Sequence, residues 1–90
     1  MQFEWDPVKA ARNRRKHGIS FHVASTVFDD PLARTFPDPD HSVGEERCLT
    51  IGMTSPGVVV VVVHLDRGER VRLISARQAT RRERNWYEET

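Results

Sequence analysis

Apolar and polar positions change period several times along the chain, and each change marks an element. From Pro7 to His17 the only apolar side chains are Val8, Ala10 and Ala11, while Lys9, Arg12, Asn13 and Lys16 recur at three- and four-residue spacing. This predicts a surface helix with a basic face. Asp6-Pro7 supplies an N-cap followed by a first-turn proline, and His17-Gly18 a cationic last turn with a left-handed stop. Ser20 caps a second helix in which Phe21, Ala24 and Phe28 fall at helical spacing until Asp30-Pro31 ends it. That helix should be a principal core element. Leu32 to Phe36 predicts a short edge strand, and Pro37-Asp38-Pro39-Asp40 a turn.

A period of two takes over at about Arg47 to Thr54, with Arg47, Leu49 and Ile51 on one face. Ser55-Pro56-Gly57 then turns the chain into six consecutive valines, Val58 to Val63, whose unbroken apolar run predicts a central strand buried on both faces. Asp66-Arg67-Gly68-Glu69 turns it again into Val71 to Arg77, which completes a meander of three antiparallel strands. Thr80 and Glu83 have the spacing of a capping box, opening a last helix from about Arg81 to Glu88. The expected class is α+β, a small antiparallel sheet meander packed with two N-terminal helices and one C-terminal helix. A chain of 90 residues buries only about two thirds of its unfolded surface, so residues 1–90 are expected to form one domain. Three short helices cover little more than one side of a sheet, so a partner is expected on the apolar remainder.

Composition adds less than its distribution. An apolar fraction of 38% against 30% charged residues fits a folded globular chain and argues against disorder. The formal net charge is only +1, yet Lys9 to Lys16 and Arg67 to Arg84 are basic while Asp29 to Glu46 is acidic. Such segregation predicts a footprint for RNA or DNA beside an acidic edge suited to a basic protein. The one cysteine, Cys48, excludes an internal disulfide and reads as a small buried hydrophobe, which fits a reducing compartment. The first residues have no basic start followed by an apolar run, and the valine run is too short to span a bilayer, so a cytoplasmic protein with no membrane partner is expected.

Several short motifs occur in register: Phe3-Glu4-Trp5-Asp6-Pro7, Lys16-His17-Gly18, Phe28-Asp29-Asp30-Pro31, Asp38 to His41, Gly44-Glu45-Glu46-Arg47, Ile51-Gly52, and Ile74-Ser75-Ala76-Arg77 through Arg84-Asn85-Trp86-Tyr87-Glu88. Together they resemble the BrnT family of bacterial toxins over essentially the whole chain. The resemblance implies a RelE-like fold and the toxin of a type II toxin-antitoxin system, a metal-free endoribonuclease acting on cellular RNA and inhibiting translation and growth. It also implies neutralisation by a BrnA-like antitoxin that binds operator DNA, so that the complex represses its own operon. The assembly expected is a heterotetramer in which an antitoxin dimer bridges two toxins. Gln78 departs mildly from the pattern, since many relatives look more basic there. The residues alone also allow a non-catalytic nucleic-acid-binding module or a protein-interaction subunit.

Metal-free RNA cleavage needs the 2′-hydroxyl deprotonated, the phosphorane charge stabilised and the departing 5′-oxygen protonated. Arg47, Arg72 and Arg77 are the candidates for phosphate binding and charge stabilisation, because strand backbone holds their guanidinium forks and those forks match phosphate oxygens. By strict alternation Arg72 and Arg77 fall on opposite faces unless a bulge intervenes. Each of the three could instead be paired with Glu45, Glu46, Glu69 or Glu83. His17 is the candidate for proton transfer, with a helix-capping role as the alternative, and His64 reads as a packed residue. Lys9, Arg12, Lys16, Arg81 and Arg82 are candidate RNA contacts, and Tyr87 could stack on a base, whereas Trp5 is expected in the core. Asp38, Asp40 and His41 match no closed zinc site and are explained as turn formers, so no metal or cofactor is expected.

Overall fold

The computed structural model describes residues 1–38 and 47–89. Strand β1 (Gln2–Glu4) leads into helix α1 (Pro7–His17) and helix α2 (Phe21–Ser25), which continues as a 3-10 turn over Thr26–Asp29. Strands β2 (Arg34–Pro37), β3 (Arg47–Met53), β4 (Val59–Arg67) and β5 (Arg70–Gln78) follow, and helix α3 (Arg81–Glu88) closes the order. The five strands form one sheet in the order β1-β5-β4-β3-β2. The α+β class and the antiparallel meander of β3, β4 and β5 are as the sequence implies, with β2 on one edge. Strand β1 was not anticipated. It pairs parallel with β5 over only three residues, too few for alternation to reveal.

Local chemistry sets the helix ends. The Asp6 carboxylate accepts from Val8 N at 2.8 Å, and Gly18 closes α1 at φ 75 with its N–H on the Arg14 carbonyl. Ser20 caps α2, but the α-helical geometry stops at Ser25 rather than running to Asp30. The Thr26 hydroxyl bonds back to the Val23 carbonyl at 2.6 Å and that of Ser25 to His22 at 2.7 Å, contacts that tighten the turn. Thr80 and Glu83 form the full capping box of α3.

The valine strand is central and separates two apolar clusters. Val60 and Val62 pack with Phe21, Ala24, Val27, Val71, Leu73 and Ala76 beneath α1 and α2. Val59 and Val61 face the other way, against Ile51, Ala79 and Tyr87, with Phe36, Leu49 and Trp86 at the rim. No valine from 59 to 62 is more than 5% exposed, so over these residues the chain's own helices already cover both sides of the strand, while Val63 is half-buried. That corrects the expectation that the valines leave a face needing a partner. What stays exposed is Leu32, Met53 and Val58, together with Val8 and Met1.

Beyond Arg72, on the edge away from β4, no strand among the described residues borders β5, and α1 lies along that edge instead. Asn13 turns its amide to the strand, donating to the Ala76 carbonyl at 2.9 Å and accepting from Ala76 N at 3.1 Å. A third bond reaches the Ile19 carbonyl at 3.3 Å. The buried amide therefore satisfies backbone groups that a sixth strand would otherwise take.

Candidate active site

A bulge decides which side chains meet. β4 and β5 pair Val63 with Ser75 and His64 with Leu73, which leaves Ile74 without a partner opposite. One extra residue reverses the alternation, so Arg72, Ser75 and Arg77 all join the face that carries Leu65, Val63 and Val61. The separation of Arg72 from Arg77 expected from strict alternation is thereby corrected. Arg47 reaches the same face because it stands opposite Leu65 on β3. Arg47 and Arg72 thus flank Leu65 from its two neighbouring strands, with backbones about 10 Å apart. Arg77, opposite Val61, lies about 13 Å farther along the sheet.

The three arginines do not have equal freedom. Arg77 makes a bidentate pair with Glu83, at 2.7 and 3.0 Å, across the junction of β5 and α3. The hydrogen bond that Arg77 donates to Glu83 raises the Arg77 pKa further, against the opposing effect of burial. Arg77 in turn holds the Glu83 carboxyl down to about 2, helped by the Thr80 backbone. Arg72 is half-buried, and among the described residues no carboxylate lies within ion-pair reach of it. Glu4 sits beside it in register, yet its carboxylate turns to Arg67 and Arg70, both at 3.9 Å.

Helix α1 supplies the adjoining wall. Lys9, Arg12, Asn13, Lys16 and His17 line a cavity of about 280 Å³ with Ile74 and Ser75, the residues at the bulge. The basic stripe read from the sequence therefore opens beside the strand that carries Arg72. His17 is half-buried in this wall, whereas Lys9, Arg12 and Lys16 are exposed. Ile74 and Ser75 belong to a motif noted in the sequence but were not read as site residues, because only the cross-strand register brings them there.

Arg81 and Arg82 are exposed in the first turn of α3. Tyr87 is not available for stacking: it is 5% exposed and its hydroxyl bonds to the Asp30 carboxylate. Burial, with Asp30 close by, pushes its pKa up to about 12. Burial raises the Asp30 carboxyl, but bonds from Tyr87, Met53 N and Leu32 N outweigh it and leave the group below its ordinary value. Trp5 packs edge-on against Phe21 and His22, as a core residue. Trp86, on the rim of the arginine-bearing face, packs at a tilt against Phe36 and receives the Arg34 guanidinium over its ring at 4.4 Å. His64 is buried on the opposite face, as its packed reading required. Asp38 is buried, with its N–H on the Arg47 carbonyl, while Asp40 and His41 lie outside the described residues. Among the described residues, Cys48, His64 and Asp66 could hold a metal ion.

Residues 5–83 match the family model described as the ribonuclease toxin, BrnT, of a type II toxin-antitoxin system. The fold is similar to the 1.1 Å crystal structure of the Brucella abortus ribonuclease toxin, BrnT, with a TM-score of 0.70 and 26% sequence identity. The similarity covers 90% of this chain and 99% of that one. No curated protein sequence matches the chain.

Proposed function

Because the chain belongs to the BrnT family of ribonuclease toxins of type II toxin-antitoxin systems, we propose that its arginine-bearing sheet face is the surface that cleaves RNA. The protein is an endoribonuclease, with RNA as substrate and an antitoxin as partner. On this reading residues 1–90 act as one toxin domain in the cytoplasm; among the described residues no helix is long and apolar enough to cross a membrane.

The observation that carries the site assignment is Arg72, a half-buried guanidinium on a rigid strand with no carboxylate partner among the described residues, beside a cavity walled by cations. The RNA backbone runs along Lys9, Arg12 and Lys16, with Arg81 and Arg82 as outer contacts. The scissile phosphate rests against Arg72, and Arg47 approaches from the far side of Leu65. Attack by the 2′-oxygen on phosphorus forms a phosphorane whose added charge these guanidinium groups stabilise. Expulsion of the 5′-oxygen then leaves a 2′,3′-cyclic phosphate and a 5′-hydroxyl. The proton lost from the 2′-hydroxyl is matched by the one gained at the 5′-oxygen, so a single group can serve both steps. His17 is assigned that role, histidine being the side-chain type suited to exchanging protons near neutral pH. Arg77, occupied by Glu83, anchors α3 to the sheet instead of binding phosphate.

Fixed guanidinium charge supplies what a metal would otherwise contribute, so cleavage is metal-independent on this reading. Purified protein is expected to cut total RNA with a chelator present and to leave 5′-hydroxyl ends. Loss of cleavage on chelation with the fold intact, or 5′-phosphate ends, would contradict the mechanism. The antitoxin is a BrnA-like DNA-binding protein whose dimer bridges two toxins and whose complex represses its own operon. The charge segregation supports an antitoxin that covers the basic cavity, since a partner that blocks Arg72 and α1 removes both binding and chemistry.

A further inference from the structure

Facing away from the arginines, four side chains form an unbroken hydrogen-bonded line across β2, β3 and β4. Thr35 Oγ1 lies 2.7 Å from Thr50 Oγ1, which lies 2.7 Å from His64 Nε2. His64 Nδ1 in turn lies 2.8 Å from Asp66 Oδ1. The inner members are sealed, Thr50 and His64 each being 1% exposed, while the Asp66 side chain is 55% exposed. Cys48 stands directly opposite His64 on β3. Its sulfur, a His64 ring nitrogen and an Asp66 carboxylate oxygen all lie within 4.8 Å of one another.

We infer that Cys48, His64 and Asp66 form a binding site for a borderline-soft divalent cation of the zinc type. The register accounts for the convergence, because Cys48 is the cross-strand partner of His64 and Asp66 lies two residues along the same strand, on the same face. One sulfur, one nitrogen and one oxygen ligand suit zinc and its tetrahedral relatives far better than magnesium or calcium. Three ligands leave a fourth position for water, and the exposed Asp66 gives a path in from solvent. The ring is already oriented as a ligand requires. With Nδ1 bound to the cation, Nε2–H donates to Thr50 Oγ1, and Thr50 donates onward to Thr35 on the exposed edge strand. A threonine hydroxyl both donates and accepts, so the line reverses its direction without leaving a buried atom unsatisfied.

The cation would brace the sheet, not join the cleavage chemistry. Arg47 directly precedes Cys48, and Leu65 lies between His64 and Asp66, so the site braces from behind the backbone that presents Arg47 on the catalytic face. The expectation of no metal rested on the Asp38 to His41 spacing and concerned a different segment.

Cobalt(II) titrated into the reduced, purified chain tests this directly. Cys48 is the one cysteine, so a thiolate-to-cobalt charge-transfer band in the near ultraviolet reports on this site. One ion per chain is expected, with that band and the visible bands of a tetrahedral centre, both abolished by added zinc. Cys48→Ser should lose the charge-transfer band, and Asp66→Asn should bind about tenfold more weakly or worse. His22→Gln, at an exposed histidine outside the site, should keep it. No charge-transfer band, one ion shared by two chains, or unchanged affinity in Asp66→Asn would each overturn the inference.

Discussion

Arg77 and Arg72 stand five residues apart on one face of one strand, and their surroundings give them different work. Glu83 receives Arg77 through two hydrogen bonds while also closing the capping box of α3, so a single carboxylate fixes both the helix start and its attachment to β5. A carboxyl held down to about 2, against an ordinary 4.5, contributes stability that is present in full above the ordinary value and lost as pH falls toward about 2. Tyr87 works in the opposite direction: its pKa is pushed up to about 12, so its contribution is present below 10 and lost as pH rises through about 12. Melting temperature followed across pH should therefore fall on both limbs. Glu83→Gln should flatten the acid limb between about 4.5 and 2 while leaving the alkaline one unchanged. An acid limb of unaltered steepness in that variant would show that the Arg77 pair contributes nothing to stability. With 42% of the Arg77 side chain exposed, solvent keeps the effect modest.

At the scale of elements, the close approach of the 3-10 turn to β3 is set by Gly52. A Cβ there would meet Val27 Cβ and Ala33 Cβ at 3.0 Å, both held by short branched or small side chains that cannot swing aside. Gly52→Ala should lower stability by about 1–3 kcal/mol, read as a lower urea midpoint with unchanged slope. A neutral substitution would mean that the turn moves freely over the sheet. The elements legible in the sequence were those specified locally. Asp6, Gly18, Ser20 and the Thr80–Glu83 box mark their helix ends within four residues, and Gly57 and Gly68 adopt positive φ at the two hairpin turns. What escaped was specified at a distance. Asn13 meets Ala76 across 63 positions and Tyr87 meets Asp30 across 57, so no window of sequence contains either pair. The bulge at Ile74 belongs to the same class, since a bulge exists only relative to a partner strand. The sequence could allow a bulge but not decide it, so the shared face of Arg72 and Arg77 stayed open although both had been picked by residue type.

For the whole molecule, the sheet divides the chain's business in two. One face is covered by α1 and α2 and carries the main core; the other is covered by α3 at one end and opens at the other among Arg47, Arg72 and the α1 stripe. Because Val59 to Val62 are already buried, the proposed antitoxin has little valine surface to complete, and on the proposed reading it covers the charged opening. Light scattering of the co-purified complex should give two toxins on one antitoxin dimer, and a simple heterodimer at micromolar concentration would contradict that assembly.

Whether the arginine-bearing face performs the chemistry is tested most directly by single-turnover cleavage at saturating protein, comparing Arg72→Ala with Arg12→Ala. Saturation overcomes a binding defect and leaves a transition-state defect exposed. Arg72→Ala is expected to cleave more slowly by on the order of a hundredfold at saturation with its fold intact, the usual loss of one preorganised donor. Arg12→Ala should recover the parent rate at saturation while lowering the salt slope of RNA binding by about 0.7, the share of one single-strand phosphate contact. An Arg72→Ala protein that regains the parent rate at saturation would contradict the assignment and move the centre of the chemistry to Arg47.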